Sequence, residues 1–163
     1  MAGLAALVRL ARPAALAVAF AALACAAAAA PPAPTPLLGG GVVRPGEGRG
    51  IVHFVFVARW CGPCEAEMQA LRRLAARMRR ADYQLVVVGV ARRESPAEFA
   101  AWLRALGYDG AAAFDEGGRL ERMYGAEALP WHVVVGPGGK VLSAGERTPD
   151  AARLHRWLSS PGD

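Results

Sequence analysis

Lysine and cysteine are both scarce in this sequence. Lys140 is the only lysine among 19 basic residues, so the formal charge of +5 is carried by arginine. Without residues 1–30, which hold Arg9 and Arg12 and no acid, 17 basic side chains face 14 acidic ones, an excess of only +3. The densest basic cluster, Arg72, Arg73, Arg77, Arg79 and Arg80, falls on one helical stretch with no aromatic residues interleaved. That composition reads as a solvated helix face and argues against nucleic acid as a partner. Cysteine occurs three times, at Cys25, Cys61 and Cys64. With no second Cys-x-x-Cys and no Cys/His pair to complete four ligands, a structural zinc site is disfavoured and no resident metal is expected.

What the sequence does have is one dithiol, Trp60-Cys61-Gly62-Pro63-Cys64, set between the apolar run Ile51 to Val57 and a helical pattern. A helix opening at Cys61 places that sulfur over unpaired N–H groups and the positive end of the macrodipole, which favours thiolate and makes Cys61 the nucleophile. Cys64 lies three residues on, about one turn away, close enough to resolve a mixed disulfide formed at Cys61. Pro63 lacks the N–H that a first-turn residue leaves unpaired, and Gly62 lets another chain approach closely.

Strand, WCGPC and helix together resemble the thioredoxin-like superfamily. Glu67, the Ala-rich leader and the stretch from Tyr124 to Gly145 resemble its bacterial TlpA/ResA-like branch. The resemblance spans residues 50–158. It implies an extracytoplasmic thiol:disulfide oxidoreductase with no dissociable cofactor, acting on protein disulfides or thiols such as those of apocytochrome c or copper sites. It also implies a membrane protein that supplies electrons.

The rest of the chain fits that frame. Residues 9–12 form a positive start, 13–24 an apolar stretch, and 26–30 offer A-x-A cleavage choices, so residues 1–30 read as a secretory signal. A lipid anchor at Cys25 or a membrane span are the other readings, and all three put the domain outside the cytoplasm. Residues 31–36 alternate proline with small residues and read as a spacer. The next fourteen residues hold six glycines and the β-branched pair Val42-Val43, enough for one short edge strand. The domain proper is expected over residues 51–160.

Within it, Ile51 to Val57 and Gln84 to Val90 read as central strands, with a helix over residues 61–80 between them. Ser95-Pro96-Ala97-Glu98 opens a second helix with a capping box, and Gly107 closes it. Leu120 to Tyr124 is a short helix, Val133 to Val135 and Lys140 to Ser143 flank a Gly-rich hairpin, and Thr148-Pro149-Asp150 caps a last helix. The order is that of an α/β thioredoxin fold, a central mixed β-sheet flanked by helices.

Several residues invite a role. Glu67, three residues after Cys64, matches by resemblance a glutamate beside the cysteines that can relay the proton of Cys64; the alternative is a surface acid in a helix's first turns. The resemblance also places a cis proline at Pro130, packed against the dithiol. There Leu129 would offer its backbone to an extended substrate by β-augmentation, and Trp131 would narrow the groove. Thioredoxin's buried aspartate, six residues before the first cysteine, is replaced by Val55. His53 reads as a satisfied or partly exposed histidine at a strand end. His132 either reaches the sulfurs or does not; a copper chaperone using Cys61, Cys64 and His132, or a disulfide-forming oxidant, are the rival functions.

Overall fold

The computed structural model describes residues 32–80 and 82–160. The expected leader, residues 1–30 with Cys25, lies outside the described residues. Five strands form a mixed sheet in the order β5-β4-β3-β6-β7. Its centre is β3 (Ile51–Val57), buried along its whole length, which is why it reads as a continuous apolar run instead of an alternating one. β3 pairs in parallel with β4 (Tyr83–Val90) and antiparallel with β6 (Trp131–Val135). Outside them lie β5 (Ala111–Asp115), parallel to β4, and β7 (Val141–Gly145), antiparallel to β6. With its flanking helices this is the expected thioredoxin fold.

The helices take their faces from handedness. α1 (Cys64–Arg77) and α2 (Pro96–Ala105) are crossovers between parallel neighbours that step the same way across the sheet, so both lie on one face. The Arg72 guanidinium on α1 donates to the Leu106 carbonyl just past α2 at 3.1 Å. α3 (Arg119–Tyr124) returns the chain over the other face, where Tyr124 lies against Phe54 and Phe56 with ring centroids 5.6 and 6.4 Å away. Side chains alternate along β3, so His53 and Val55 face α1 while Phe54 and Phe56 face α3. α4 (Ala151–Ser159) starts at Asp150, whose carboxylate accepts the Arg153 N–H at 2.7 Å.

Three expectations need correction. The strand β5 has no counterpart among the strands that the sequence signals: Ala-Ala-Ala-Phe-Asp carries little β preference, and only pairing with β4 makes it a strand. The N-terminal segment is also more than a spacer with one edge strand. β1 (Thr35–Pro36) and β2 (Val42–Val43) pair as a small antiparallel hairpin, with Thr35 and Val43 buried. Pro36 is tolerated because an edge strand needs no inward N–H there. The Leu38 N–H then donates to the Ala112 carbonyl of β5 at 2.8 Å, covering part of that edge. Finally, α1 begins at Cys64, not Cys61. The residue before a proline is disfavoured in a helix, and the Cys64 N–H closes a turn onto the Cys61 carbonyl, so the helix starts after Pro63, its N-cap.

Candidate active site

The dithiol sits where β3 hands over to α1. The Cys61 N–H donates to the Ala58 carbonyl, and the Cys61 carbonyl accepts the Cys64 N–H, both at 3.1 Å. This tight turn brings the two Cα atoms to 5.4 Å, and the sulfurs are joined as a disulfide. Cys61 keeps 8% of its surface exposed and Cys64 none. A partner can therefore reach Cys61 alone. No side chain caps α1 at Pro63, so the positive end of the helix is left to the disulfide. A Cβ added at Gly62 would meet nothing within 4 Å, which leaves open space beside the turn.

The turn is anchored from behind. The Arg59 N–H lies 3.3 Å from both oxygens of Glu94, whose side chain is fully buried. Burial raises the Glu94 pKa, and the hydrogen bond and charge from Arg59 oppose that rise. Trp60 is 39% exposed and forms the rim. The Arg92 and Arg93 guanidinium groups each lie 5.9 Å from its ring, and its indole N–H donates to the Arg92 carbonyl. Arg92 in turn pairs with Glu121 at 2.8 Å. None of these partners of Trp60 and Arg59 is signalled by local sequence, because they come from the loop after β4.

Leu129–Pro130 is a cis peptide, as expected. Both residues are partly buried at the entrance to β6. Trp131 stands opposite Phe56, on the α3 face of the sheet, with its indole N–H buried and unpartnered.

His132 stands opposite Val55 in the β3–β6 register, so its side chain shares the α1 face with the position where valine replaces thioredoxin's aspartate. It is the start of a polar row that crosses three strands. Tyr83 Oη lies 2.9 Å from His53 Nδ1, and His53 Nε2 lies 3.1 Å from His132 Nδ1. His132 Nε2 lies 3.6 Å from Glu67 Oε1, which also accepts the Thr148 hydroxyl at 2.8 Å. Glu67 thus faces inward and is not a surface acid. His53 is fully buried, satisfied but not partly exposed as the sequence suggested. The reason is Tyr83, which closes β4's entrance over it. With Nδ1 turned to His53, His132 does not offer that atom to the sulfurs.

Burial drives the His53 pKa down to about 3, with His132 adding to the effect, and drives His132 down to about 4. Both rings are neutral in the fold at pH values where an unfolded chain, titrating near 6.5, protonates them. Stability is therefore complete above pH 6.5 and falls as the pH drops from there toward 4. At its steepest the loss is about 2–3 kcal/mol per pH unit, two protons being taken up on unfolding. Urea unfolding at pH 7 and pH 5 should show it, and His53→Phe should halve the slope. A stability flat between those pH values would contradict the assignment.

A protein-family model described as the AhpC/TSA family matches residues 28–144. The chain belongs to the AhpC/TSA family. Among curated proteins none matches. Among solved structures, this family member resembles a candidate thiol:disulfide interchange protein DsbE from Chlorobium tepidum at 25% identity, covering 81% of this chain and 94% of that one, with a TM-score of 0.63. It also shares the fold of StoA from Bacillus subtilis, at 18% identity over 78% and 98% of the two chains with a TM-score of 0.66. The exposed lipoprotein thioredoxin Etrx1 of Streptococcus pneumoniae is similar too, at 21% identity over 78% and 97% with a TM-score of 0.63. These findings agree with the thioredoxin-like, TlpA/ResA-like resemblance. With a Cys-x-x-Cys disulfide at the strand-to-helix turn of this fold, the family member is a thiol:disulfide oxidoreductase.

Proposed function

We propose that the protein is an extracytoplasmic reductase of protein disulfides, with Cys61 as nucleophile and Cys64 as resolving thiol. The observation that carries the division of roles is the asymmetry of the pair: Cys61 keeps 8% of its surface exposed beside an uncapped helix N-terminus, and Cys64 keeps none. The Cys61 thiolate attacks a partner's disulfide and releases one partner thiolate. Cys64 then attacks the Cys61 sulfur, the second partner thiolate leaves, and the enzyme ends oxidised with its own disulfide.

Trp60, Gly62 and Pro63 shape the open side of the turn, and the backbone of Leu129 beside Pro130 receives an extended substrate strand, with Trp131 supporting it from β6. Glu67 takes the proton of Cys64. The leader pattern supports export, and the likeness to an exposed lipoprotein thioredoxin points the same way. Apocytochrome c or copper-site thiols are the proposed substrates, and a membrane protein supplies electrons; no dissociable cofactor takes part.

The equilibrium reduction potential, titrated against glutathione or dithiothreitol, tests the direction. A value well below about −180 mV, the isomerase range, is expected of a reductase. A value near that of the strong oxidants, about −120 mV, would make the protein a donor of disulfides instead.

A further inference from the structure

The dithiol chemistry proposed for Cys61 and Cys64 uses Glu67 and leaves His132, His53 and Tyr83 without a task. Two histidines and a tyrosine in a sheet core are costly unless paired, since burial penalises both unsatisfied polar atoms and charge. Here they pair with one another across β4, β3 and β6, and one atom of the row, His132 Nε2, is buried with no hydrogen-bond partner. The nearest acidic group to that nitrogen is the Glu67 carboxylate at 3.6 Å.

The charge at that end fixes every proton in the row. Facing a carboxylate, His132 Nε2 must carry hydrogen, so the neutral ring has its lone pair at Nδ1. His53 must then donate from Nε2 and hold its own lone pair at Nδ1. Tyr83, whose hydroxyl is kept protonated by burial, donates to that lone pair. The result is a one-way series of donors, Tyr83 to His53 to His132, aimed at Glu67 Oε1. Thr148 donates to the same oxygen from the loop ahead of α4. Among the described residues no side chain hydrogen-bonds Oε2, and no Lys or Arg pairs with Glu67 within 4 Å. The carboxylate is thus engaged through Oε1 and has no side-chain hydrogen bond at Oε2, one helical turn after Cys64.

We propose that the Tyr83–His53–His132 row positions Glu67 as the proton acceptor of Cys64, making His132 a positioning residue for the resolving step. This rests on the assignment of Cys61, Cys64 and Glu67 made above. In the step, the Cys64 S–H proton passes to Glu67 Oε2, and the Cys64 sulfur attacks Cys61. The Cys61–partner S–S bond breaks as the Cys61–Cys64 bond forms, and the electron pair leaves on the partner sulfur. That thiolate takes up the proton and Glu67 returns to carboxylate. The row keeps its N–H and O–H groups turned toward Glu67 throughout and transfers no proton.

The test isolates that step. The reduced enzyme is loaded at Cys61 as a mixed disulfide with thionitrobenzoate, and release of the coloured thiolate is followed by stopped flow across pH for wild type, His132→Leu, Glu67→Gln and the double variant. Losing the N–H that faces the carboxylate should move the acid limb of the His132→Leu profile to higher pH and slow the plateau several-fold. Glu67→Gln should abolish the limb, and adding His132→Leu to it should change nothing further. A His132→Leu profile that overlays wild type, or one that slows the Glu67→Gln enzyme by the same factor, overturns the proposal, the second by showing a structural role.

Imidazole ¹⁵N spectra of the oxidised wild-type protein decide independently, should a variant fail to fold. Both rings must be neutral with hydrogen on Nε2 at pH 7; hydrogen on Nδ1, or an imidazolium, overturns the row as drawn. If wild type itself fails to release thionitrobenzoate, the dithiol reading fails while the spectra still judge the row.

Discussion

Cys61→Ser is expected to cut reduction of an insulin disulfide by at least about a thousandfold, on the scale that loss of a nucleophile carries. Cys64→Ser should fail differently. It keeps the one thiol of the pair with any exposure, attacks once, and halts as a covalent Cys61 adduct because nothing is left to displace the partner. Mass spectrometry of the Cys64→Ser protein mixed with a disulfide substrate should find the adduct, and the Cys61→Ser protein should form none. The contrast follows from burial. With Cys64 at 0% exposure, no partner can attack it or be attacked by it. An adduct on Cys64 in the Cys61→Ser protein would refute the division of labour.

The largest expected loss of stability is at Phe99. This ring, fully buried on α2, drops onto Gly89 of β4, where an added Cβ would come within 2.6 Å of it and 2.7 Å of Phe114. The glycine is there to make room for two aromatic rings whose centroids lie 5.8 Å apart. Phe99→Ala should cost about 3–5 kcal/mol by leaving a cavity, and Gly89→Ala about 1–3 kcal/mol by overfilling the same place. Because the two errors have opposite sign in volume, Gly89→Ala combined with Phe99→Leu should lose less than the separate losses predict, by about 1 kcal/mol or more. Urea unfolding of the four proteins measures it; losses that add within about 0.5 kcal/mol would show that ring and glycine do not share the space.

Much of this architecture can be read from periodicity and punctuation. The continuous apolar runs give β3 and β4, the Ser95 capping box gives α2, and WCGPC marks the turn between strand and helix. β5 escapes because three alanines are silent about strand, and β1 because a proline-rich segment pairs only once Val43 has a core to enter. The site divides in the same way. The cysteines carry their signal locally and Glu67 and Pro130 come through the family resemblance, whereas Glu94 beneath Arg59, and Thr148 beside Glu67, are joined to their partners 35 and 81 residues away. The two histidines were visible as residues but not as a pair, since only the β3–β6 register puts His132 opposite Val55. In that register the imidazole supplies polarity on the face where thioredoxin carries its aspartate one strand over.

The separations inside the row set an order of assembly. WCGPC, β3 and α1 are contiguous and their anchor Glu94 lies only 35 residues from Arg59, so the reactive turn can take shape once the chain through the loop after β4 is available. The bond from His53 to His132 spans 79 residues and that from Glu67 to Thr148 spans 81, so both wait for β6 and the start of α4 to dock. Contacts this far apart close late, because the entropy of ordering the intervening chain is lost before they form. A growing or partly folded chain would therefore own its thiols before it owns the groups that govern them, and the finished proton environment of Cys64 becomes a signature of the complete fold.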